Sequence, residues 1–155
     1  MERGSGWREN RKRYALQALV SLCFFFAYLL LGNVRYETND DEFLNLLAAG
    51  AFGAQSQYLC HMHIVYGYFL KLFFRFAPGV NWYLFFLLLF DLLSVITIAC
   101  VLCRRLTSAK TLLLTVLVNI ALAYDFYVEL EYTKCAFLYA AAGFLLLYAA
   151  WEARM

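Results

Sequence analysis

Charged residues are scarce in this chain. Asp, Glu, Lys and Arg make up 15% of its 155 residues, where a soluble domain carries about 25%. Hydrophobic residues fill the gap at 65%, with 19% aromatic and a mean hydropathy of +0.65. A domain of this size leaves about a third of its unfolded-chain surface in contact with solvent. So much apolar material has nowhere to hide in one small globule, which excludes an ordinary soluble enzyme and a disordered chain.

Paired cysteines are also lacking. Cys23, Cys60, Cys100, Cys103 and Cys135 are scattered, so a disulfide-stapled secreted domain is excluded. Cys100 and Cys103 form a CxxC with no second pair, inside a helical segment, and read as small apolar helix residues. No dinucleotide, P-loop or zinc signature is present. Without internal repeats or a low-complexity linker, residues 1–155 read as one domain. The net charge is only +2, yet Arg3, Arg8, Arg11, Lys12 and Arg13 cluster ahead of the first hydrophobic segment. Beside a membrane span such a cluster sets orientation, so no nucleic-acid partner is expected.

A helix needs about 20 apolar residues to cross a bilayer core of roughly 30 Å. Four stretches qualify, at about 14–32, 82–103, 109–128 and 133–151. The first is too long for a signal-peptide core and lacks a cleavage pattern after it, so it reads as an uncleaved span. Residues 60–77 are apolar too, but carry His61, His63, Lys71 and Arg75, which are costly at bilayer depth. Counted as a helix lying on the membrane, this segment leaves the N-terminal cluster, Arg104, Arg105, Lys110 and Arg154 all inside. The bias of Lys and Arg toward the cytoplasm therefore favours four crossings. The predicted protein is all-α and polytopic, with the lipid bilayer as partner and a cytoplasmic N-terminus.

The first exterior loop, 33–81, then has about 49 residues, and the second lies around 124–132. Seven of the eleven acids (Glu37, Asp40, Asp41, Glu42, Asp125, Glu129 and Glu131) fall on this side. A long loop should carry structure of its own. Asn39 and Glu42 form a capping-box-like pair. Phe43, Leu46, Leu47 and Gly50 follow along one apolar face, predicting a short helix that ends near Gly53. Asp40, Asp41 and Glu42 would complement its dipole. A second helix over 60–77, halted by Pro78-Gly79, is predicted to lie among the headgroups. His63, Gly67, Lys71 and Arg75 step along it every four residues, either snorkelling to lipid phosphate or lining a groove for a lipid-linked substrate. His61 and His63, two apart, would point in nearly opposite directions and make no metal pair.

These features follow an order. A basic N-terminus and one span precede Asn39-Asp40-Asp41-Glu42-Phe43, Gly50 and Gly53, Gly67-Tyr68-Phe69-Leu70-Lys71-Leu72 and Pro78-Gly79-Val80-Asn81-Trp82-Tyr83. Glu131-Tyr132-Thr133-Lys134 then opens a span rich in small residues. Over nearly the whole chain this order resembles the bacterial polytopic membrane glycosyltransferases of the C-type superfamily. The resemblance implies a bacterial cell membrane, two membrane-lying helices in the first exterior loop, and a sugar donor on a polyprenyl phosphate or diphosphate. It makes Asp40, Asp41 and Glu42 candidate catalytic acids, one serving as general base on the acceptor hydroxyl or holding a divalent metal. His63, Lys71 and Arg75 become candidate substrate-binding residues, as do Glu129 and Glu131 in the second exterior loop. Members usually have seven or more spans. The resemblance thus implies a fragment, a split half or a remnant, partnered by a second membrane subunit or by missing C-terminal helices.

Asp91 lies about nine residues into the second span, roughly 13 Å deep at 1.5 Å per residue. An acid there costs about 2.5–3.5 kcal/mol unless paired or protonated. Asn119 falls at similar depth in the third span, so a hydrogen bond between the two is expected; a proton- or ion-coupling role is the rival. Ala136, Ala140, Ala141, Ala142 and Gly143 permit close helix approach in the fourth span. The leading expectation is a membrane glycosyltransferase-like module working on the outer face. The alternatives are a non-catalytic four-span assembly subunit or remnant, and a small transporter subunit built around Asp91.

Overall fold

The computed structural model describes residues 3–155, with side chains from Arg11 onward; the side chains of Arg3 and Arg8 lie outside the described residues. Its elements are α1 (Arg3–Leu31), β1 (Arg35–Tyr36), α2 (Asn39–Ala49), α3 (Ile64–Phe76), α4 (Trp82–Leu102), α5 (Ser108–Tyr127), β2 (Glu129–Leu130) and α6 (Tyr132–Glu152). Four helical stretches are long and apolar enough to cross a membrane: Arg11–Leu31 within α1, and all of α4, α5 and α6. They match the sequence expectation within three residues. α1 begins earlier than expected and carries the basic cluster on its first turns.

Between 17% and 39% of each spanning stretch is buried inside the protein. Phe137 and Phe144 of α6 are 75% and 72% exposed, and Leu31 of α1 is 89% exposed. Apolar surface left in water costs roughly 25 cal/mol per Å², and lipid removes that cost. The chain is an all-α, multi-pass integral membrane protein.

α4, the most buried of the four, packs against α1, α5 and α6, while α1 also lies along α5. One end of the bundle is laced by arginines. Arg13 donates to the carbonyls of Cys103 (2.8 Å) and Leu106 (2.6 Å), beyond the C-terminus of α4. Four carbonyls at a helix end have no intrahelical partner, and a guanidinium there also meets the negative end of the dipole. Arg105 pairs with Glu152 and lies over the Tyr148 ring at 5.4 Å.

At the opposite end, residues 33–81 fold into a cap over the first turns of α4 and α6. Leu44 and Ala48 of α2, Leu70 and Phe74 of α3, and Tyr83 and Phe86 of α4 share one buried cluster. Phe69 and Phe73 of α3 meet Phe86 at 4.6 and 4.9 Å between ring centroids, docking α3 on α4. The α3 backbone also comes so close to the preceding loop that a Cβ on Gly67 would sit 2.0 Å from the Gln57 carbonyl oxygen. Only glycine fits there.

Several details of the cap differ from the sequence expectation. Thr38, not Asn39, is the N-cap residue of α2; its side chain bonds no backbone N–H and its hydroxyl instead donates to the Asp41 carboxylate. The buried face of α2 runs through Asp41, Leu44 and Ala48, while Phe43 is 47% exposed. The helix ends at Ala49, four residues before the expected end near Gly53, because Gly50 takes φ 87° and its N–H bonds back to Leu46 and Leu47. That left-handed C-cap closes a helix more cheaply with glycine than with any other residue. α3 starts at Ile64 rather than Cys60, since His61 has φ 61° and His63 is the N-cap. The expected cationic stripe on α3 is broken up: Gly67 is buried, Lys71 is half-buried and Arg75 is exposed.

Candidate functional site at the cap end

The acidic residues of the two loops are brought together by a pairing that spans most of the chain. β1 and β2 run parallel, Arg35 opposite Glu129 and Tyr36 opposite Leu130. Backbone bonds from Arg35 N–H to the Val128 carbonyl and from Glu37 N–H to the Leu130 carbonyl, both 2.8 Å, complete the pair. Two-residue strands provide little stability alone. Here the apolar packing of Tyr36 and Leu130 into the cap core holds them.

Asp41 sits at the centre of this junction and is fully buried. Its carboxylate accepts from the Tyr83 hydroxyl of α4 at 2.6 Å, from the Thr38 hydroxyl at 3.1 Å, and from the Tyr132 N–H at the start of α6 at 3.4 Å. Burial pushes its pKa up; the three hydrogen bonds oppose that shift, and the nearby Glu131 adds to it. Buried carboxylates are tolerated when their lone pairs are filled in this way. Tyr36 is held alongside by a 3.0 Å bond to Asn81, which also caps α4 by accepting from Leu84 N–H. Burial raises the Tyr36 pKa as well.

Asp40 and Glu42 flank Asp41 on the first turn of α2 and are exposed. No ion pair to either is present among the described residues. The remaining loop acids are mostly neutralised. Arg35 pairs with Glu129, and Lys134 of α6 bridges Glu37 and Asp125, the latter at 3.1 Å. Glu129 raises the pKa of the Arg35 guanidinium through that pairing. Glu131 is the N-cap residue of α6 and accepts from the Thr133 hydroxyl.

The candidate substrate-binding cations do not converge. Lys71 donates to the Gln57 side chain at 3.1 Å. Arg75 lies on the exposed stripe of α3 with Val65, Leu72 and Phe76, which are 65%, 51% and 79% exposed. His63 turns its Nδ1 to accept from Val65 N–H at 3.2 Å. It borders a groove with His61, Tyr66, Tyr132 and Tyr139, where the His61 and Tyr132 rings lie parallel at 6.4 Å. No group of three or more His, Cys, Asp or Glu suited to a metal occurs among the described residues.

Thr38, His61, Tyr66, Tyr83 and Tyr132 are the site residues that sequence reasoning missed. Thr38 had a readable signal, three residues before Asp41 in a capping-box spacing. Tyr83 lay within the Asn81-Trp82-Tyr83 motif without being assigned a partner. Deeper in the bundle, the expected bond between Asp91 and Asn119 is absent. Asp91 accepts from the Cys135 thiol at 3.2 Å, and Asn119 donates to the Thr115 carbonyl of its own helix at 2.8 Å. Asp91 faces α6, while Asn119 spends its N–H on its own helix and leaves its Oδ1 buried without a partner among the described residues.

Comparison of the chain with models of known families, with curated proteins and with solved structures gives no match in any of the three. Fold and cap together define a multi-pass membrane protein with a folded acidic cap at one end of a four-helix bundle.

Proposed function

We propose that the protein is a membrane glycosyltransferase-like module of the bacterial cell membrane, with its N-terminus in the cytoplasm and its cap on the outer face. It would take a sugar from a polyprenyl-phosphate donor. One observation carries this reading: Asp40 and Glu42 stand exposed on a helix turn that the buried Asp41 ties to α4 and α6. Carboxylates on a rigid platform beside the membrane suit a general base that must meet an acceptor hydroxyl in a fixed geometry. In this reading Asp40 carries the chemistry, with Glu42 beside it, and Asp41 is a positioning residue. The balance of cations supports the orientation: Arg13, Arg104, Arg105, Lys110 and Arg154 lie at the far end, against Arg35, Lys71, Arg75 and Lys134 at the cap end. The test is transfer of a labelled sugar from a polyprenyl-phosphate carrier in membranes containing the protein, compared with membranes lacking it. A labelled product that depends on the protein supports the reading, and its absence with well-folded protein present overturns it.

A second reading, a non-catalytic four-span assembly subunit, draws on one observation. The Asp41 carboxylate is fully taken up by Tyr83, Thr38 and Tyr132, so the central acid of the motif has a complete structural role.

A further inference from the structure

We infer that the bundle carries a proton path, from the open hollow beside the cap through Tyr139, Cys135 and Asp91 to the buried polar faces of α5 and α1. Among the described residues, seven of the eight buried polar or charged side chains lie in the spans, Asp41 alone being in the cap. Many of their polar atoms have no partner among the described residues: both amide atoms of Gln17, the Ser21 hydroxyl, and one oxygen each of Asp91 and Asn119. The buried Tyr127 hydroxyl is in the same position. In a bundle surrounded by lipid such groups are costly unless something bridges them. Water does so where it has room and at least two polar partners.

These groups form a ladder. Thr111, Thr115 and Asn119 repeat every four residues on the buried face of α5, about 6 Å apart. Gln17 and Ser21 repeat likewise on α1, which packs against α4 and α5. Asp91 and Asn119 each lie eleven residues from the arginine-laced end of their helix, so they stand level. They make no bond to each other, and each leaves one oxygen for water. A hollow of about 30 Å³, bordered by Thr115, Asn119 and Tyr127, has room for about two waters. It is too small for a hydrated metal ion, which makes the proton the cargo.

On the cap side, Tyr139 borders the open hollow of about 290 Å³. Its hydroxyl donates to the Leu87 carbonyl at 3.1 Å and lies beside both the Cys135 thiol and the Asp91 carboxylate. The thiol in turn donates to Asp91 at 3.2 Å. Tyr127 of α5 is the other titratable neighbour, and no ion pair to Asp91 occurs among the described residues. Arg13, held by the carbonyls of Cys103 and Leu106, stands one turn beyond Gln17 at the inner end. An ionisable residue inside a span, reached by polar groups from both sides, is the usual element of a proton relay. Asp91 takes a proton from the Cys135 and Tyr139 side and gives it to water on the Asn119 side. One O–H bond forms as another breaks, and nothing is oxidised.

The path uses none of the cap acids and does not rest on sugar transfer. The experiment is proton flux into liposomes holding the purified full chain and a pH-sensitive dye, driven by a potassium–valinomycin potential. Wild type is expected to exceed protein-free liposomes by about tenfold or more. Asp91→Asn should fall to the protein-free level, while Asp91→Glu, which keeps a carboxyl, should retain flux. Asn119→Leu and Gln17→Leu should each lower it several-fold; Cys23→Ala, on an exposed position of α1, should not. Dicyclohexylcarbodiimide, an apolar carboxyl reagent, should block wild-type flux and add its mass at Asp91, so the test does not hang on a variant folding. Absence of flux in fully helical wild type overturns the path. Full flux in Asp91→Asn, or labelling of Asp91 that leaves flux intact, overturns the relay. An equal sodium current overturns the proton as cargo. Flux without sugar transfer keeps the path and removes the transferase, and transfer without flux does the reverse.

Discussion

The Tyr83 hydroxyl donates a 2.6 Å hydrogen bond to Asp41, 42 residues earlier in the chain, and both side chains are fully buried. That bond joins the cap to the central helix of the bundle. Removing its donor leaves a buried carboxylate oxygen short of a partner, which costs about 1–3 kcal/mol. Tyr83→Phe is therefore expected to lower the thermal unfolding midpoint in detergent, whereas Tyr68→Phe, on an exposed residue of α3, should not.

Burial raises the Asp41 pKa, and this sets a pH dependence. A carboxyl whose folded pKa exceeds its unfolded value binds more protons in the folded state. Its contribution to stability is then full below the unfolded value, near 4, and is lost as pH rises to the raised folded value. The unfolding midpoint should fall across that window, and the same scan on Asp41→Asn should lose this component of the slope.

Gly67 lets α3 pack against the loop backbone at Gln57. Gly67→Ala is expected to destabilise the cap by about 1–3 kcal/mol, as overpacking does. Limited proteolysis of residues 51–63 should show it first, because the spans remain protected by detergent. Gly50→Ala, forcing an L-residue to φ 87°, should cost about 1–2 kcal/mol.

Orientation can be read from Cys60, which is exposed in the cap. In intact cells expressing a variant whose only cysteine is Cys60, a membrane-impermeant maleimide should label the protein. Labelling that appears only after the membrane is breached would place the cap in the cytoplasm and remove the outer-face reading.

The spans were legible because a bilayer imposes a length and a composition that few other structures share. Pro78 stopped α3 close to where it was expected. The face of α2 was misjudged because Leu46 and Leu47 outweighed Asp41 in an apolar-periodicity reading. A buried acid is invisible to that reading until its partners are known, and Tyr83 and Tyr132 lie far along the chain. The same limit explains Asp91: depth follows from counting residues, but the direction a side chain faces depends on which helix packs beside it. The β1–β2 pair joins two-residue strands about ninety residues apart, too short to carry any alternation. Exposed Asp40 and Glu42 could be listed from the sequence as acids, but only the cap separates them from Asp41.

The most direct measurement is sugar transfer per folded molecule, with the unfolding midpoint, for wild type, Asp40→Asn and Asp41→Asn in the same membranes. Asp40→Asn should keep the wild-type midpoint and lose transfer by about 100-fold or more, the typical worth of a general base. Asp41→Asn should lower the midpoint, having lost acceptors for Thr38 and Tyr132. Full transfer by Asp40→Asn, with an unchanged midpoint for Asp41→Asn, would contradict both roles at once.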